Sequence, residues 1–137
     1  MDTLRGNKMA YDSLSLSGRP LTQVGLSVRD LDRARDFYRD VLGLQLLFET
    51  NGMLFFQLAG LRLMVGLAFD AAKPIGGSIL YFDAPDFDAV VSSLERKGVI
   101  FLNDAQVLQR TDTHELKLRS FFDPDGNGLA LLGLVQR

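Results

Sequence analysis

From Leu21 to Val28 apolar and polar residues alternate, with Val24, Leu26 and Val28 on one face and Gln23, Gly25 and Ser27 on the other. A period of two predicts a strand with one face against a core. The period then changes. After Asp30 the apolar residues Leu31, Ala34, Phe37, Val41 and Leu42 recur at helical spacing. Asp30 is placed to cap that helix, where its carboxylate suits the positive end, and Gly43 supplies the left-handed stop. Leu44–Thr50 and Met53–Ala59 read as strands joined by Asn51-Gly52, a strong hairpin signal because both residues tolerate positive φ. Gly60 turns the chain into a fourth strand, Leu61–Phe69. Leu61, Leu63, Val65 and Leu67 share one of its faces; Arg62, Met64 and Gly66 share the other.

The same order returns after the connector Asp70–Gly77, whose Pro and paired Gly punctuate a loop. Ser78–Asp83 predicts a fifth strand. Asp86 is expected to cap a second helix with the stripe Phe87, Val90, Val91 and Leu94, ended by Gly98. Val99–Leu102 reads as strand six, poorly defined through Asn103–Arg110, and Glu115–Phe122 as strand seven. Asp123-Pro124-Asp125-Gly126 fits a type I turn, and Leu129–Val135 closes as strand eight. The helix-start aspartates Asp30 and Asp86 are 56 positions apart and the helix-stop glycines Gly43 and Gly98 are 55 apart. A β-α-β-β-β unit used twice points to duplication, not to a solenoid, which needs three or more repeats.

Composition narrows the chemistry. The chain has 137 residues, 47% of them hydrophobic, which is one ordinary domain with enough apolar matter for a core. A net charge of −2 gives no basic footprint for nucleic acid. No apolar run approaches the roughly 18 residues that cross a bilayer, and the first residues lack a signal peptide's hydrophobic segment. Residues 1–20 read as a tail, residues 21–137 as one domain with modules at about 21–69 and 77–135, and the expected address is cytoplasmic. There is no cysteine, so thiol nucleophiles and zinc–thiolate sites are excluded. The single histidine, His114, reads as a loop residue and cannot build a His-rich site alone.

Three stretches carry a resemblance to a known superfamily: the strand and helix of "VRDLDRARDFYRDVLGL", the second helix ending in Lys97-Gly98-Val99, and "SFFDPDGNGLALLG" from Ser120 to Gly133. Together with the order of elements they resemble the vicinal oxygen chelate superfamily of glyoxalase I, the bleomycin- and fosfomycin-resistance proteins and the extradiol dioxygenases, over about Leu21 to Leu134. The resemblance implies an α+β fold of two βαβββ modules, cupped mixed sheets with their helices on the convex side and the ligand in the concave side. It also implies a homodimer.

Enzymes of that superfamily commonly hold a divalent metal through His or Glu from strands one, four, five and eight. Matched by distance from the landmarks, those positions are Gln23, Met64, Ile79 and Ala130. Only the Gln23 amide oxygen suits a hard or borderline divalent ion; Ile79 and Ala130 carry no donor atom, and the Met64 thioether is soft and weak. No metal, no cofactor and no catalytic residue are expected. Aspartates 83, 86, 123 and 125 are read as caps and a turn before a calcium site. The period of two adds Phe55, Gln57, Tyr81, Arg119, Phe121 and Leu132 to the cup lining. A mostly apolar lining with a few polar groups suits a small-molecule pocket, in which Gln23 orients a polar group, Tyr81 stacks and Arg62 or Arg119 holds a carboxylate.

Three functions follow. The first is a metal-free protein that binds an apolar or aromatic small molecule, with neither nucleic acid nor membrane as partner. The second is a metal-dependent lyase, isomerase or dioxygenase of the same superfamily, although no carboxylate or imidazole base stands in the expected cup. The third is a non-catalytic interaction subunit whose side chains fill the cup.

Overall fold

The computed structural model describes Leu14, residues 16–68 and residues 75–137. Phe69, expected to end the fourth strand, lies outside the described residues, as do residues 70–74 of the connector and most of the expected tail. After a short 3-10 turn (Leu16–Gly18) come eight strands and two longer helical segments: β1 (Gln23–Val28), α1 (Leu31–Arg35) running into a wider π-helical turn (Asp36–Val41), β2 (Gln45–Thr50), β3 (Met53–Leu58), β4 (Leu61–Leu67), β5 (Ile79–Asp83), α2 (Phe87–Arg96), β6 (Gln106–Arg110), β7 (His114–Phe122) and β8 (Gly128–Gln136). They form two four-stranded sheets of the same order, β1-β4-β3-β2 and β5-β8-β7-β6. In each, the strand before the helix pairs parallel with the last strand, and the other pairs are antiparallel. No described helix is long and apolar enough to cross a membrane.

The alternation in the sequence sets which side of each sheet meets a helix. Leu26 and Val28 of β1, Leu54 and Phe56 of β3, and Leu63 and Val65 of β4 are buried with Ala34 and Tyr38. Phe121, Leu129 and Leu131 are buried with Phe87, Val91 and Leu94 of α2. Both sets belong to one apolar cluster, so the modules share a core. Asn51 and Gly52 take φ of 48° and 75°, the primed turn that suits a twisted hairpin.

Three local expectations are corrected. The first helix is α-helical for little more than a turn before it widens, and the extra residue brings Tyr38, not only Phe37, to the core. Asp30 caps it as expected, its carboxylate accepting from Arg33 N at 3.0 Å, but Asp86 makes no side-chain capping bond. Strand six is not Val99–Leu102 but the polar stretch Gln106–Arg110. Val99 belongs to the core cluster and Phe101 packs against it as connecting chain, with Val99 N bonded to Leu94 O at 3.0 Å and Leu102 N to Ser120 O at 2.9 Å.

The β7–β8 turn joins the modules. Tyr38 Oη donates to Asp123 Oδ2 at 2.8 Å, Asn127 Nδ2 donates to Ser27 O at 2.9 Å, and Arg29 N and Arg33 Nη2 both donate to Asp125 Oδ1. Burial, then the negative charge and hydrogen bond of Asp123, push the Tyr38 phenol far above its ordinary value. Near pH ~10 the unfolded chain therefore ionises this phenol while the folded chain keeps its proton, and stability falls as pH rises past that point. Tyr38→Phe is expected to cost about 1.5 kcal/mol at neutral pH. In urea melts across an alkaline series, the gap between wild type and variant should narrow above pH ~10.

Candidate functional site

Each sheet has one face on the shared helical core and one face turned away from it. On the first sheet that open face carries Gln23 of β1, Phe55 and Gln57 of β3, and Met64 of β4. Their placement follows from the register, which pairs Gln23 with Arg62, Gly25 and Phe55 with Met64, and Gln57 with Arg62. On the second sheet it carries Ile79, Tyr81, Ala130 and Leu132, since Ile79 pairs with Gly128, Tyr81 with Ala130 and Leu118 with Leu132. Eight of the ten residues expected to line the cup thus fall on open faces, four to a sheet.

Arg119 and Phe121 do not. Arg119 pairs with Leu131 and Phe121 with Leu129, the core-facing residues of β8. Phe121 is buried against Phe101, ring centroids 5.3 Å apart. Arg119 lies over the Phe101 ring at 4.7 Å and donates from Nε to Asn103 O at 2.9 Å. Neither is available to a ligand on the open face.

Arg62 and Phe48 complete the first sheet's surface. A bulge in β2 between Leu46 and Phe48 shifts the alternation, so Phe48 pairs with Phe55 and faces outward. The two rings stack with centroids 4.5 Å apart and planes 19° from parallel. Arg62 donates from Nε and Nη2 to the single oxygen Gln23 Oε1, at 3.1 and 2.9 Å, and its guanidinium lies 5.4 Å from the Phe55 centroid. The Phe-Phe stack escaped the sequence pattern because a bulge leaves no mark in a run such as Leu46-Leu47-Phe48.

The donor set fails the test for a divalent ion. The Gln23 oxygen, the one plausible ligand among the four matched positions, already faces the positive guanidinium of Arg62. Ala130 is buried, and with Ile79 and Met64 it leaves nothing for a hard cation. The acidic or imidazole side chains on the open faces of the described strands are Asp83, at the end of β5, and His114. The latter proves to be the half-buried first residue of β7, its Nδ1 2.8 Å from Thr113 Oγ1. Asp83 pairs with Leu132 and His114 with Gln136, which puts them roughly 16 Å apart by strand rise and spacing, too far to share an ion. Among the described residues no group of three or more His, Cys, Asp or Glu side chains converges.

Where the modules meet, β1 and β5 are the edge strands of separate sheets, with no ladder between them. The β7–β8 turn closes one end of this junction. The other end is an open cleft of about 670 Å³ between Val24, Leu58 and Leu61 on one side and β5, from Ile79 to Asp83, on the other. Ile79 and Tyr81 line it, both half exposed or more. The asymmetry has a local cause. The β7–β8 connection has five residues, Asp123–Asn127, whereas the equivalent β3–β4 connection is the two-residue turn Ala59-Gly60.

The sequence model of the Glyoxalase/Bleomycin resistance protein/Dioxygenase superfamily matches residues 21–131. Solved structures repeat the fold at low identity. A lactoylglutathione lyase from Agrobacterium tumefaciens is 22% identical, with 84% of this chain and 93% of that chain covered and a TM-score of 0.69. A glyoxalase family protein from Enterococcus faecalis is 23% identical, covering 83% and 97%, with a TM-score of 0.67. A glyoxalase/bleomycin resistance protein/dioxygenase from Alicyclobacillus acidocaldarius is 20% identical, covering 86% and 92%, with a TM-score of 0.66.

Proposed function

The chain belongs to the Glyoxalase/Bleomycin resistance protein/Dioxygenase superfamily, and we propose that within it this protein works without a metal, as a binder of apolar or aromatic small molecules. One observation carries the proposal. The amide oxygen of Gln23 is held by two N–H groups of Arg62, so the sole donor at the four matched positions is committed to a cation of the protein's own. What remains around it is the surface of a ligand site: Phe48, Phe55 and Met64 on the first sheet, Ile79, Tyr81 and Leu132 on the second.

A homodimer is part of the same proposal. Phe48, Ile79, Tyr81, Phe122 and Leu134 are all large, at least 45% exposed and on open faces. A monomer seldom leaves such a set to water, and a second copy would cover it while enclosing the ligand. A cytoplasmic setting completes the proposal and rests on the sequence reading alone.

The test is metal uptake. Protein purified without chelating resin, examined by native mass spectrometry and titrated with Zn²⁺, Ni²⁺, Mn²⁺ and Fe²⁺, is expected to take up none of them stoichiometrically below about micromolar concentration. One ion per chain, retained through buffer exchange and lost on Gln23→Ala, would sink the proposal.

A further inference from the structure

The open face of the first sheet carries a positive charge with no acidic partner among the described residues. Of the residues that the register places there, Arg62 is the one charged side chain; its neighbours are Gln23, Gln57, Gln45, Phe48, Phe55, Met53 and Met64. No carboxylate among the described residues lies within ion-pair distance of it, whereas Arg33, Arg35, Arg39 and Arg110 each pair with an acid. Arg62 is also held in place. Its Nε and one Nη2 proton converge on Gln23 Oε1, and the Phe55 ring lies 5.4 Å from its guanidinium carbon. A guanidinium has five N–H donors, so three remain, two of them side by side on the edge formed by Nη1 and Nη2. That edge matches the two oxygens of a carboxylate.

Beside the charge stands a flat apolar surface. Phe55 is buried under the guanidinium and against Phe48, a residue 45% exposed. An exposed aromatic ring stacked on a second, next to a fixed cation with no acidic partner among the described residues, presents a π-face and an anion anchor together.

We infer that this face selects flat aromatic carboxylates, the Arg62 guanidinium taking the carboxylate and the Phe48 ring taking the aromatic plane. Gln23 acts as a positioning residue: it spends the Nε side of the guanidinium and leaves the other edge outward. The inference rests on the small-molecule-binding proposal and adds the ligand's charge and shape to it.

Naphthoate and naphthamide have the same ring and nearly the same outline but differ in charge, so calorimetric titration of both separates the two ideas. Wild-type protein is expected to bind naphthoate about tenfold more tightly than naphthamide, a modest ratio because Arg62 is exposed to water. In Arg62→Gln the affinity for naphthoate should fall to that for naphthamide, and Arg62→Lys should restore only part of the difference. Phe48→Ala should weaken both compounds by a similar factor. If wild type binds acid and amide alike, or if Arg62→Gln keeps the preference, the anchor is overturned while the binding proposal stands. If neither compound binds, both fall.

Discussion

Gly133→Ala is expected to destabilise the protein by about 3 kcal/mol or more, an overpacking cost at the severe end. Gly133 lies in β8 on the core side, paired with Lys117, and is buried. The chain entering α2 passes directly over it. Ala84 N donates to Leu132 O at 2.9 Å, and Phe87, the first residue of α2, lies against the same strand. A Cβ at position 133 would fall well inside van der Waals contact of the Ala84 carbonyl oxygen, 3.0 Å from its carbon and 3.1 Å from Phe87 Cδ1. The Phe87 ring can turn; the Ala84 carbonyl is backbone and can move only if α2 lifts from the sheet. Gly66→Ala is the matched control. There the nearest atoms are the Met64 methyl at 3.7 Å and Met53 Cγ at 3.8 Å, ordinary contacts with flexible side chains. It should change stability by under about 1 kcal/mol. Urea melts of both variants decide the matter, and a Gly133→Ala protein as stable as wild type would mean that the entry to α2 does not rest on β8.

The duplicated unit and most strand faces were legible because one face of each inner strand is buried by its own module's helix. In β1, β3 and β4, apolar residues occupy every core position, so counting in twos placed Gln23, Phe55, Gln57 and Met64 correctly on the open side. Strand β7 defeats the same count. Its core face reads Glu115, Lys117, Arg119, Phe121, because α2 covers only part of the second sheet. There Lys117 and Arg119 set their cationic groups over the rings of Phe87 and Phe101. An arginine in an alternating strand then reads as outward-facing when it is not. Strand β6 fails for a related reason: its five residues are all exposed, and only the ladder to β7 defines it. The more apolar Val99-Ile100-Phe101-Leu102 looks more like a strand, but only Val99 and Phe101 pack on the core, while Ile100 and Leu102 stay exposed.

At the site, the residue types were legible and the pairings were not. That Ile79 and Ala130 cannot hold an ion follows from their chemistry alone. That the Gln23 oxygen is occupied by Arg62 follows from the parallel register of β1 and β4, which places the two side by side. No spacing in the sequence announces a contact between positions 39 residues apart.

Asp123→Ala is expected to be the most damaging single substitution of a polar residue, costing about 4 kcal/mol. Asp123 is only 4% exposed, and its two oxygens accept four hydrogen bonds. Oδ1 takes the backbone N–H groups of Asp125 and Asn127 at 2.9 and 2.7 Å; Oδ2 takes Tyr38 Oη and Asn127 Nδ2, both at 2.8 Å. Alanine would leave two backbone donors, a phenol and an amide facing one another across a cavity, and each unpaired buried group costs about 1–3 kcal/mol, less where a neighbour or water can substitute. The loss reaches beyond the turn. Asn127 also holds Ser27 O of β1 and the Gly76 N–H before β5, so loosening it loosens both inner edge strands at once. Asp123→Asn keeps the shape but sets an NH₂ group against at least one of the four donors, and about 2–3 kcal/mol should be lost. Tyr38→Phe combined with Asp123→Ala should cost less than the two singly, with a coupling of about 1–2 kcal/mol, because the second change removes a partner already gone. Additive costs in that cycle would show that the phenol and the carboxylate do not act together. A loss below about 1 kcal/mol in Asp123→Ala would show that the shared apolar core, and not this carboxylate, holds the modules in place.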